Sequence, residues 1–135
     1  MARNKPTTYT ALQTTSYFMP YRLVTTKTTA GAVTYTAAEF LGGLILRDPN
    51  GAGRTDDTPT AALIYDELGS PKAGASFEVV IRNTADAAET ITMQAGTGVT
   101  ISGTATIAQN NTKRFIGVVV SPTAVTLYSI GTMTH

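Results

Sequence analysis

Few residues of this chain are of a type that performs chemistry, and their spacing is poor for it. Gly51-Ala52-Gly53 lies between an expected strand and an expected helix, where a phosphate loop would sit. The dinucleotide-binding form needs a third glycine three positions on. Asp56 stands there, and its carboxylate would repel pyrophosphate. No Gly-Lys-Ser/Thr follows, so a plain polar surface loop is expected over residues 51–57. Asp56-Asp57 and Asp66-Glu67 are carboxylate pairs. A glycosidase or cation site needs two carboxylates converging on a cleft, and neighbours in a strand point apart. Asp56 and Asp57 are instead expected to favour the positive end of a helix opened by Thr58. A hydroxyl nucleophile needs a base, and the single imidazole is His135, the last residue, where order is least expected. Lys113-Arg114 beside Phe115 has the charge to meet an acidic ligand. A basic pair at a strand start more simply keeps a sheet edge soluble. Asn110-Asn111-Thr112 is read as an incidental sequon. No catalytic residue, cofactor or metal site is expected.

Composition points the same way. The chain has 135 residues, enough for one domain with a core that needs no staples. It has no Cys, which removes disulfides and thiolate metal sites. Charged residues are 14% of the chain, and Thr is 26 of 135. This suits a packed, β-rich structural protein and excludes a coiled coil, a disulfide scaffold and most metalloenzymes. Net charge is +1, but residues 1–38 hold Arg3, Lys5, Arg22 and Lys27 with no acid. All nine acids fall within 39–89, against four bases there. A sparse basic arm on an acidic body is expected to touch an acidic protein surface. Nucleic acid is not expected as a partner, because it favours clustered Lys and Arg. No apolar run approaches membrane-spanning length, and the start lacks the apolar core of a secretory signal, so a soluble protein made in a cytoplasm is expected, with no membrane partner.

Residues 1–32 read as an extended N-terminal arm and 33–135 as a β-rich body. The arm carries Tyr9, Leu12, Tyr17, Phe18 and Met19, large groups that prefer burial on a surface. With Arg3, Lys5 and Arg22 they are the candidate contact residues. Tyr21 to Thr29 and Ala32 to Tyr35 look like β segments around Ala30-Gly31. Thr36 caps a short helical turn, 37–41, with Glu39 at the capping-box position. Leu44 to Arg47 is a strand, closed by the turn Asp48-Pro49-Asn50-Gly51. Thr58-Pro59 opens the one clear helix, about ten residues ending at Gly69. From residue 73 the pattern is all β. Phe77, Val79 and Ile81 share one face, and further strands fall near 90–93, 99–101, 104–107, 114–121 and 124–130. Short strands at this spacing predict a mainly β fold: a compact antiparallel barrel or sandwich with one short helix.

Several runs carry a resemblance. Leu41 to Gly51, Asp57 to Ala62, Phe77 to Ala85, Gly96 to Thr100 and Asn111 to Phe115 together resemble small virion structural proteins of tailed bacteriophages, of the capsid decoration (cement) type. The likeness spans Val33 to Thr132. It implies a structural module without catalysis, located on the capsid surface of the virion. There it binds the major capsid protein, as an expected homotrimer, and stabilises the assembled head by bridging neighbouring subunits. The alternative it leaves is a subunit of a head fibre or tail appendage that attaches to the host surface. A small carbohydrate- or nucleotide-acting enzyme is the remaining reading from another class.

Overall fold

Period-two alternation builds the larger sheet. In Ser76–Asn83, Phe77, Val79 and Ile81 face one side, while Glu78, Val80 and Arg82 face the other. The same alternation runs through Asn111–Ser121, which buries Lys113, Phe115, Gly117 and Val119. A computed structural model describes residues 21–135. Arg3, Lys5, Tyr9, Leu12, Tyr17, Phe18 and Met19 lie outside the described residues.

The elements in chain order are β1 (Leu23–Lys27), α1 (Ala37–Gly42), β2 (Gly43–Arg47), β3 (Arg54–Asp57), α2 (Ala61–Glu67), β4 (Ser76–Asn83), β5 (Ile91–Gln94), β6 (Val99–Ser102), β7 (Thr106–Ile107), β8 (Asn111–Ser121) and β9 (Ala124–Thr134). Six strands pair in the order β1-β2-β4-β8-β9-β6, and three more in the order β3-β5-β7. The two sheets and both helices enclose one core, in which Phe40, Ile45, Ile64, Val79, Ile81, Ile91, Ile107 and Phe115 are almost wholly buried. The fold is mainly β and sandwich-like, not a closed barrel.

The antiparallel expectation holds only in part. β4-β8, β8-β9 and β5-β7 are antiparallel, but β1-β2, β2-β4, β3-β5 and β6-β9 are parallel. Side-chain alternation is the same in both pairings, so the pattern did not distinguish them. The long connections did: α1 carries the chain back to the starting end of the sheet, and β3 with α2 does so again.

There are also two helices where one was expected. α1 is the capped turn at Thr36. The Thr36 hydroxyl accepts from the Glu39 amide at 3.2 Å, and the Glu39 carboxylate accepts from the Thr36 amide at 2.9 Å. α2 starts later than Thr58, with Thr60 as its N-cap. Thr58 is unavailable because its amide donates to Gln94 and its hydroxyl accepts from the Gly96 amide at 2.8 Å. The turn after β2 follows expectation, with Asn50 and Gly51 both at positive φ and the Asn50 amide bonded to the Asp48 carboxylate. The 51–57 loop does not, since Arg54–Asp57 is strand β3. Its buried position is filled by Asp56, so it carries no apolar signal.

At the N-terminal side, Leu23–Lys27 of the expected arm is an edge strand of the main sheet, in register with Gly43–Arg47. At the other end β9 runs to Thr134. His135 is tied back, its amide donating to Asn110 and its ring within 3.0 Å of the Thr112 hydroxyl. The terminus is held because β8 and β9 pair almost to their ends.

Candidate functional site

Three polar clusters and one sheet face are the places where this fold presents chemistry. The first cluster is buried. β2 ends at Arg47 in the large sheet, and Asp56 projects from β3 in the small one. Both are fully buried. Arg47 Nε donates to Asp56 Oδ2 at 2.7 Å and Nη2 donates to Oδ1 at 3.1 Å, the planar fork that guanidinium and carboxylate make together. The other three N–H groups go to the carbonyls of Thr29, Asp48 and Gly31, at 2.8, 2.7 and 2.6 Å. Asp56 also accepts from the Val33 amide at 3.1 Å and the Tyr35 hydroxyl at 3.0 Å. Every guanidinium hydrogen and both carboxylate oxygens are thereby used. Burial, followed by the charge and hydrogen bond of Asp56, pushes the Tyr35 phenol far above its ordinary value. Burial by itself lowers the Arg47 pKa, but the bonds and charge of Asp56 outweigh it and raise the net value. The cluster is a clamp that joins the two sheets and pins residues 29–35. It has no hydrogen-bonding capacity left for a substrate. The expectation that Asp56 serves a helix end is corrected by this pairing.

The second cluster lies on the outer face of the large sheet. Glu78 of β4 sits between Arg22, just before β1, and Arg114 of β8, in ion pairs with both. Arg22 also donates to the Gly43 carbonyl at 2.9 Å. A Cβ at Gly43 would stand 2.7 Å from the Arg22 guanidinium, so the glycine gives that side chain its path across the sheet. Hydrogen bonds from Arg114 and then Arg22 hold the Glu78 carboxyl below its usual range. Glu39 is shifted the same way. Burial alone would raise it, but the Lys27 ammonium at 2.9 Å and the Thr36 amide lower it further. These lowered values give acid sensitivity with a definite sign. Both carboxylates contribute their full stabilisation above the unfolded value near 4.5 and lose it as pH falls through their folded values. Melting temperatures of the wild type should therefore fall more steeply below pH 4.5 than those of Glu78→Gln, with a difference of about 1 kcal/mol or less because the pairs are partly exposed.

The third cluster holds the basic pair of β8, whose members separate to opposite faces. Arg114 joins the ion pairs just described. Lys113 points inward, opposite Ile81, is 3% exposed, and donates to the Thr132 hydroxyl at 2.5 Å. Burial lowers its pKa. A buried ammonium held by one hydroxyl weakens the fold while it stays charged. The penalty is complete below the folded pKa and is relieved as pH rises through it toward 10.5. Lys113→Met should raise the melting temperature at pH 7 by roughly 4 °C, about 1 kcal/mol, and the gain should shrink as pH rises.

Of the remaining carboxylates, Asp66 and Glu67 are exposed on α2. Glu89 is buried, with one oxygen accepting from the Gly51 amide at 2.9 Å and the other lacking a hydrogen-bond partner. Gly51-Ala52-Gly53 is an exposed loop next to it. Among the described residues, no group of three His, Cys, Asp or Glu stands close enough to hold a metal ion, and no helix is long and apolar enough to cross a membrane.

Among the described residues, no element covers the outer face of the six-stranded sheet. The registers place Leu44, Val80, Ile116, Val118 and Tyr128 on it, and the alternation along β8 adds Val120. Val120 and Tyr128 are exposed and the other four half-buried. The aromatic contact of Phe40 in α1 with Phe77 of β4 puts α1 on the opposite face, and Ile64 of α2 and Ile91 and Ile107 of the small sheet lie in the core on that side. Arg22 is the one candidate contact residue within the described chain, and it lies on this outer face. Alternation along β4 puts Val80 on the side of Glu78 and Arg82 but does not show the face as a unit. Only the strand order brings β2, β4, β8 and β9 side by side. No family model, curated protein or solved structure matches the chain.

Proposed function

We propose that this chain is a virion structural protein of the capsid decoration type. It binds the outer surface of an assembled bacteriophage head and stabilises it without catalysis, and residues 1–20 and the outer sheet face supply the contacts. The observation that carries this reading is the outer face of the large sheet, where Leu44, Val80, Ile116, Val118, Val120 and Tyr128 stand among the ion pairs of Glu78 with Arg22 and Arg114. A sheet face that mixes apolar side chains with charged and arginine side chains has the composition of a protein-binding surface. The arm adds reach, and extended segments can pair with a neighbour's sheet edge. Weak contacts repeated over many capsid subunits sum. Binding to the assembled shell alone then stabilises that shell by linkage. The low charge, the Thr-rich strands and the resemblance to phage decoration proteins point in the same direction.

Purified protein added to expanded heads that lack it should co-sediment with them and raise their resistance to heat. Removing residues 1–20 should abolish binding, and Val80→Glu with Ile116→Glu should weaken it strongly. Undiminished binding by both variants would overturn the reading. Attachment of the isolated protein to host cells or glycans, with none to heads, would favour the fibre or tail-appendage alternative. Trimerisation is tested by mass in solution and on the particle; a monomer in both removes the trimer.

A further inference from the structure

Two clefts flank α1. The first, about 210 Å³, lies at the C-terminal end of the helix between Tyr21, Arg22, Leu41 and Phe77. The second, about 470 Å³, lies at its N-terminal end, between α1 and α2, lined by Tyr35, Ala37, Ala38, Leu63, Asp66 and Glu67. Leu63 is 54% exposed there, an apolar side chain on α2 with little to cover it. Asp66 and Glu67 stand one turn further along the same helix, on the same wall of the groove. They make no ion pair among the described residues. They also occupy the last turn of α2, which has no basic residue. Carboxylates there face the negative end of the helix, so a cation docking beside them relieves two unfavourable terms at once.

Residues 1–20 have the complementary chemistry. They carry Arg3 and Lys5, no acid, and the apolar anchors Tyr9, Leu12, Tyr17, Phe18 and Met19. They join the described chain at Tyr21, in the first cleft. The length of α1, six residues or about 9 Å, separates that point from the groove. An extended segment of this size spans up to about 66 Å, so reach is no obstacle. We propose that the groove between α1 and α2 is the seat of residues 1–20 of the same chain. Their apolar anchors match the apolar lining of Leu63 and Ala38 in kind, and Arg3 and Lys5 are opposite in charge to Asp66 and Glu67. This contact belongs to the free protein and does not depend on what the protein binds.

The chain has no Cys, so Ala2→Cys in the full-length protein accepts a single spin label. The amide signals of Leu63, Asp66 and Glu67 should lose most of their intensity relative to the reduced label, while Thr100 in β6 keeps its own. Asp66→Asn with Glu67→Gln, both exposed and outside the core, should roughly halve the broadening, because exposed ion pairs supply only part of the affinity. Unchanged signals at α2, or the largest losses at Val80 and Ile116, would overturn the proposal. A mixture of spin-labelled unenriched protein with unlabelled 15N protein should show no loss. Loss in that mixture would seat the segment on a second copy and would overturn the intrachain assignment.

Discussion

Asp56→Ala should remove a large share of the protein's stability. The substitution removes the only carboxylate bonded to Arg47 and leaves a guanidinium buried between the sheets with two N–H groups unpartnered. It also strands the Val33 amide and the Tyr35 hydroxyl. Breaking one side of a buried pair costs about 3–5 kcal/mol, which is a large share of the roughly 5–15 kcal/mol that holds a domain together. The melting temperature should fall by roughly 15 °C. Arg47→Met should cost less, because methionine fills volume and removes the buried charge. In the Arg47→Met background Asp56→Ala should cost much less than it does alone. Strictly additive losses in that cycle would show that the clamp is not the energetic unit.

Gly98→Ala is the second large effect, at about 3 kcal/mol. Gly98 has φ of +79°, and a Cβ there would lie 2.3 Å from the Thr123 carbonyl oxygen and 2.9 Å from the Ala61 Cβ. The Thr123 carbonyl is backbone and cannot swing away. The Gly98 carbonyl accepts from the Val125 amide at 3.1 Å, so a shift at residue 98 also disturbs the start of β9. Gly131→Ala is the matched control: it has nothing within 4 Å and no positive φ, and it should be close to neutral. Urea midpoints of the two variants test this. Equal midpoints would mean that the loop carrying Gly98 relaxes freely.

Much of the fold was legible because local rules act over a few residues. Thr36 and Glu39 specify a capped turn wherever they are placed, and Asp48-Pro49-Asn50-Gly51 specifies a turn. The alternation of Phe77, Val79 and Ile81 marks a half-buried strand before any partner is known. The misses share a different cause. β3 reads as a loop because its one buried side chain is charged, and burial of Asp56 makes sense only once Arg47 arrives from the other sheet. The sequence puts the start of α2 too early because Thr58 looks like a cap in isolation, while its hydroxyl is engaged by Gly96, far along the chain. Lys113-Arg114 reads as one basic patch, but a strand sends neighbours to opposite faces, one into the core and one to Glu78.

By itself, the amino-acid sequence determined a Thr-rich, mainly β chain without Cys, its turns and caps, and a basic, acid-free segment ahead of an acidic middle. Those properties rest on composition and on contacts between near neighbours. The tertiary structure alone decided that strands pair in parallel across helical connections, that Arg47 and Asp56 clamp two sheets, and that Leu44, Val80, Ile116 and Tyr128 share one face of the large sheet. Each of these depends on strand order. Strand order is set by which distant segments bury their apolar sides together, and a period of two is blind to that choice.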